Sequence, residues 1–156
     1  MNVVEADVSR EDGSTFVAFG GNRLRIENGA LAEHEGRTIA LGIRPEDIED
    51  AAMETGAPDD RTFTATVDIR EDMGSEVYLH FSVDAKPVLS EDVREAVEEE
   101  EAVKAMEQQA ARGGHAFVAR VDRESTAREG EQIRLVVDTR RLHFFEPESG
   151  QAISRG

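Results

Sequence analysis

The stretch Phe63 to Val83, FTATVDIREDMGSEVYLHFSV, decides the fold. Phe63, Ala65, Val67 and Ile69 fall on one face of an extended chain, and Thr64, Thr66, Asp68 and Arg70 on the other. After a turn through Glu71-Asp72-Met73-Gly74, Val77, Leu79, Phe81 and Val83 alternate with Tyr78, His80 and Ser82. Two runs of period two around a short glycine-containing loop predict an antiparallel hairpin with one buried face.

The same rhythm continues on both sides. Downstream, Phe117, Ala119 and Val121 define a strand, Arg128-Glu129-Gly130 a turn, Ile133, Leu135 and Val137 a further strand, and Leu142 to Phe145 the last. Upstream, Val4, Ala6 and Val8 alternate with acids, Phe16 to Phe19 follows a turn, and Gly20-Gly21-Asn22 reads as a tight hairpin loop because glycine supplies the positive φ of primed turns. Leu24 and Ile26 resume the alternation up to Asn28-Gly29. Many short strands separated by turn signals predict a mainly β protein, built as a small barrel or paired barrels.

Leu41-Gly42-Ile43-Arg44-Pro45-Glu46-Asp47-Ile48 is a half-buried strand that leaves the sheet at Arg44. Proline forces the preceding residue into an extended conformation and suits the first position of a helical turn, where its missing N–H costs nothing. Glu46 and Asp47 then occupy the first turn, and Arg44 remains on the polar side among acids. On physical grounds alone this is a strand exit with a local ion pair. Thr55 to Asp60 is a turn-rich link, which divides the chain into a first module of about residues 1–56 and a second of about 61–153. Lys86 to Gly114 interrupts the β pattern. Ser90 is a candidate N-cap, Gly113-Gly114 a stop, and Val93, Val97, Val103, Met106 and Ala110 a thin apolar stripe, which predicts an acidic helical insert over about 88–113.

A chain of 156 residues buries one solid core. With no cysteine, disulfides, thiolate metal sites and a cysteine nucleophile are excluded. Thirty-four acids against eighteen bases give a net charge of −16, a field that repels phosphate backbones and anionic lipid. The absence of tryptophan argues further against a nucleic-acid barrel, which stacks bases on aromatics in a basic groove. No apolar run is long enough to cross a bilayer, and the expectation is a soluble, cytoplasmic chain.

Gly42-Ile43-Arg44-Pro45-Glu46 resembles the G-[IV]-R-P-E signature of the C-terminal regulatory (TOBE/OB-like) domain of carbohydrate-importer ABC ATPase subunits of the maltose-importer type. Met1-Asn2 is similar to the Met-Asn where that domain leaves the nucleotide-binding domain. Val67 to Glu76 resembles its V-x-x-x-E-x-[LM]-G-[SA]-[ED] turn, and Arg141 to Ile153 its closing R-L-H-x-F-[DE]-x-x-[ST]-G-x-x-[IL] segment. The four matches occur in the family's order and span nearly the whole chain. Asp72-Met73 departs from the common pair before the glycine, and Glu146 replaces the usual aspartate.

The resemblance implies two interleaved OB-like modules whose work is contact: with a second copy of the domain in the ATPase dimer, with an upstream nucleotide-binding domain, and with regulatory proteins. Permease subunits would be reached only through the full-length subunit, at the inner face of the membrane. Gly42, Glu71 and Phe145 correspond to residues of contact motifs, and Arg44, Glu46 and Gly74 stand within the same motifs. The competing readings are a close-approach strand glycine for Gly42, a turn residue for Glu71 and a core ring for Phe145. A P-loop requires lysine after glycine to cradle phosphates, whereas Lys86 follows Ala85 and Lys104 follows Val103. ATP and magnesium therefore belong to a motor domain expected upstream of Met1, and no cofactor is expected here. His34, His80, His115 and His143 lack ligand-like spacing, and His80 and His143, within strand patterns, read as structural. Ser75 and Ser125 read as turn residues. A small-ligand or oxyanion-binding barrel is the alternative.

Overall fold

In the computed structural model, residues 1–27, 29–85 and 115–153 are described. The helix expected over about 88–113 lies outside them. Among the described residues ten strands form two five-stranded sheets. The strands are β1 (Asn2–Glu11), β2 (Ser14–Phe19), β3 (Asn22–Ile26), β4 (Thr38–Ile43), β5 (Ile48–Asp50), β6 (Thr62–Asp72), β7 (Glu76–Val83), β8 (His115–Asp122), β9 (Gln132–Val137) and β10 (His143–Phe145). The first sheet runs β10-β4-β1-β2-β3 and the second β5-β9-β6-β7-β8. The last strand thus returns to pair with β4, Phe144 opposite Leu41, so the two sheets interleave along the chain. This is the mainly β architecture that the alternation predicts, and it is consistent with the OB-like fold that the resemblance implies.

Period-two alternation places the inward residues of both sheets in one core. At its centre four rings meet. Phe19 of the first sheet lies 5.8 Å from Phe63 and 6.2 Å from Phe117 of the second, and Phe81 lies 5.9 and 5.7 Å from the same two. Such offset and edge contacts add to the large apolar area that aromatic rings bury. Gly20 and Gly21, both at positive φ, close the β2–β3 loop as expected. A Cβ on Gly20 would fall 2.7 Å from the Asp84 carbonyl oxygen, so this loop also touches the second sheet through bare backbone.

Three expectations need correction. The face of β6 does not stay apolar through Ile69. The β6–β7 register shifts between Val67 and Ile69, so Val67 is buried while Ile69 is 51% exposed. A bulge inserts one residue and reverses which side chains face inward. Arg70 now reaches in, its guanidinium donating to the Ser125 and Ala127 carbonyls at 2.8 and 2.7 Å. Ser125 is not merely a turn residue: it is buried, and its hydroxyl donates to Asp50 at 2.6 Å. Finally, Ile39 to Ile43 is buried on both faces, not half-buried.

Candidate functional site

The second face of β4 is covered for a specific reason. Gly42 pairs with Val3 on one side and His143 on the other. A Cβ there would lie 2.9 Å from the Met1 sulfur and 3.3 Å from the Phe145 ring. The absence of a side chain is what lets Met1 and Phe145 close over the strand. Phe145 is half-buried, not core, and its ring stacks with the His143 ring at 6.4 Å; the core ring of β10 is Phe144. The following turn folds back on the strand. The Ile153 N–H donates to the Phe144 carbonyl, the Glu146 N–H donates to the Gln151 carbonyl, and His34 reaches Glu146 at 3.3 Å. Gly42 and Phe145, a hundred residues apart, therefore form one surface with the 57% exposed Met1.

Arg44 and Glu46 lie around the corner. Arg44 is extended (φ −76°, ψ 143°) and Pro45 opens a single 3₁₀ turn, Pro45–Asp47, as the proline predicts. Arg44 and Glu46 are exposed, whereas Asp47 is buried. Burial pushes the Asp47 carboxyl above its ordinary range, against the attraction of Arg141, whose guanidinium is 3.9 Å away. Neighbouring Glu46 and Asp138 push the same way. Asp138 titrates in the opposite direction. Its desolvation is outweighed by hydrogen bonds from the Arg140 side chain and backbone, which hold it below the ordinary range. Between these groups runs a cleft of about 390 Å³ with Arg61, Arg140 and Arg141 among its walls. A neighbouring hollow of about 270 Å³ is shared by Arg44, Arg141 and His143 with Glu46 and Asp47. Both carry mixed charge, and the carboxylates in each disfavour an oxyanion.

Glu71 and Gly74 stand on the other sheet. Glu71 is on β6, exposed, with its carboxylate on the His80 ring across the ladder. Gly74, at φ +86°, donates its N–H to Asp72 at 2.9 Å and so shapes the loop beyond. The outward face here carries Ile69, Glu71 and the 58% exposed Met73, with Tyr78 opposite Glu71 and His80 opposite Ile69. The structure thus sorts the sequence-selected residues into a Gly42–Phe145 patch, an Arg44–Glu46 corner and a Glu71–Gly74 patch. Among the described residues, no group of three or more His, Asp and Glu is placed to hold a metal ion.

One polar residue joins the sheets through partners distant in sequence. The Asn2 side chain is buried between β4 and β8 and bonds to the backbone of both. Its partners lie 41 and 116 residues away, so no local pattern announces the role.

Two interleaved five-stranded sheets carrying these exposed patches define a small, mainly β module. Residues 1–48 match the MalK OB fold domain and residues 41–108 the TOBE domain. The chain is 32% identical to the trehalose/maltose import ATP-binding protein MalK of Thermococcus litoralis, over 98% of its own length and 34% of that protein. It is 34% identical to the trehalose import ATP-binding protein SugC of Mycobacterium tuberculosis, over 85% of this chain and 33% of that one. With the sn-glycerol-3-phosphate import ATP-binding protein UgpC 2 of Agrobacterium fabrum the identity is 24%, over 98% of this chain and 31% of the relative. The chain spans about a third of the length of the curated relatives it matches. It belongs to the OB/TOBE regulatory domains that form the C-terminal part of sugar-importing ABC transporter ATP-binding subunits. The domains matched are OB and TOBE domains, not an ATPase domain.

Proposed function

We propose that this domain acts by contact in an ABC import ATPase: it pairs with a second copy and presents surfaces through which regulatory proteins bias the opening and closing of the motors. The observation that carries this reading is the Gly42–Met1–Phe145 surface, where a bare strand residue admits an exposed methionine and a half-buried ring. Apolar groups held at a surface by close packing are suited to burial against a partner. ATP and Mg²⁺ act in a nucleotide-binding domain that precedes this one, and permease subunits are met by that full-length subunit at the cytoplasmic face of the membrane. No helix among the described residues is long and apolar enough to cross a membrane. The cargo is set elsewhere, since relatives of this chain are named for trehalose, maltose and glycerol phosphate import.

Sedimentation equilibrium of the 156-residue chain tests the pairing. A modest interface of about 1,000 Å² predicts a concentration-dependent dimer in the micromolar range. Phe145→Ala weakens it while Glu71→Gln does not. A chain monomeric at high micromolar concentration overturns pairing through this domain.

A further inference from the structure

Among the described residues β8 is the last strand of its sheet, and no described strand pairs with the outer row of its backbone groups. Side chains from elsewhere take that place. The Asn2 amide donates from Nδ2 to the Val118 carbonyl at 2.8 Å and accepts at Oδ1 from the Val118 N–H at 2.8 Å. This is the two-bond exchange that a paired strand residue would make, carried out by a side chain. The same Nδ2 also donates to the Ile43 carbonyl at 3.0 Å on β4. Further along, Glu49 accepts from the Asp122 N–H at 3.0 Å. Only a primary amide of this length offers two donor hydrogens and an acceptor in one plane, so neither aspartate nor leucine can replace asparagine.

The residues tied together are the neighbours of the two patches. Ile43 follows Gly42, and Val118 stands opposite His80, whose ring holds Glu71. We propose that Asn2 is a clasp between the sheets: it closes the edge of β8, opens locally while both ladders persist, and so fixes the Glu71 patch relative to the Gly42–Phe145 patch. Its use as a link between contact surfaces rests on the function proposed above; the clasp itself does not.

Amide hydrogen exchange followed by NMR on the 156-residue chain tests this. In the unaltered protein the Val118 amide exchanges through local opening, faster than the Leu79 amide in β7, which lies between two ladders. Asn2→Ala speeds Val118 exchange about tenfold or more, from the loss of one buried bond, and leaves Asp122 and Leu79 unchanged. Equal rates for Val118 and Leu79 in the unaltered chain overturn the clasp without requiring any variant to fold. So does an Asn2→Ala protein in which Val118 is unaffected, or in which all amides accelerate together. Amide rates do not depend on dimerisation at Phe145, so a clasp that opens in a chain that never pairs would defeat the contact function alone.

Discussion

Gly42 lies beneath the side chains of Met1 and Phe145, whereas Glu71 stands on an open face beside Ile69 and Met73. The first patch is built by exclusion: a missing side chain lets a ring and a thioether approach a strand that is covered on both sides. The second is built by displacement, because a bulge turns an isoleucine outward and an arginine inward. Both leave apolar groups at the surface, but they respond differently to change. At the first, space is limiting; at the second, Ile69 and Met73 stand in the open.

The largest expected effect falls on neither patch but on the core they share. Phe19→Ala removes the ring that meets both Phe63 and Phe117, and chemical denaturation should show a loss of about 3–5 kcal/mol. Uncoupled unfolding of the two sheets in that experiment would break the picture of one joint core. Gly20→Ala comes next. The new methyl meets backbone at Asp84 and the site has φ +54°, so a destabilisation of about 1–3 kcal/mol is expected in the same assay.

The bulge gives a sharper contrast within one strand. Val67→Thr buries a hydroxyl and should cost about 1–3 kcal/mol, while Ile69→Thr, two residues on, should stay within about 0.5 kcal/mol. Comparable losses at both sites would show that Ile69 faces the core after all. The smallest effect concerns pH. The Asp47 carboxyl is raised above its ordinary 3.8 by burial, so the folded state holds its proton more tightly than the unfolded state does. Asp47 therefore subtracts stability above its folded value, and that penalty disappears as pH falls below 3.8. Asp47→Asn should be the more stable protein at neutral pH, with the gain shrinking on acidification. Asp138, shifted the other way, contributes stability above 3.8 that is lost as pH falls through its folded value. Urea melts of each variant at neutral and acidic pH would separate the two.

Much of this was legible in the residues. Alternation located the β6–β7 hairpin, β8 and β9, and glycine chemistry placed the Gly20-Gly21 loop. Pro45 marked the turn at which the chain leaves the first sheet. What escaped was non-local or uncounted by period two. Nothing in VDIRE announces an extra residue at the bulge, so Ile69 reads as core. β5 has three residues, Ile48–Asp50, too few to show a period. Ser125 looks like a turn hydroxyl because its partner, Asp50, is 75 residues away. The candidate residues were picked out by motifs, which say nothing of how those residues meet in space. That Gly42 and Phe145 touch depends on β10 crossing back to β4, which no local pattern encodes.

That return crossing also dictates the order of assembly. As a ribosome releases the polypeptide, the β4 flank waits with unpaired backbone until residue 145 has emerged, although its other strands were available a hundred residues earlier. Such long loop closure is slow. Until then that exposed flank is a place where a nascent copy is open to capture by a neighbour or a chaperone.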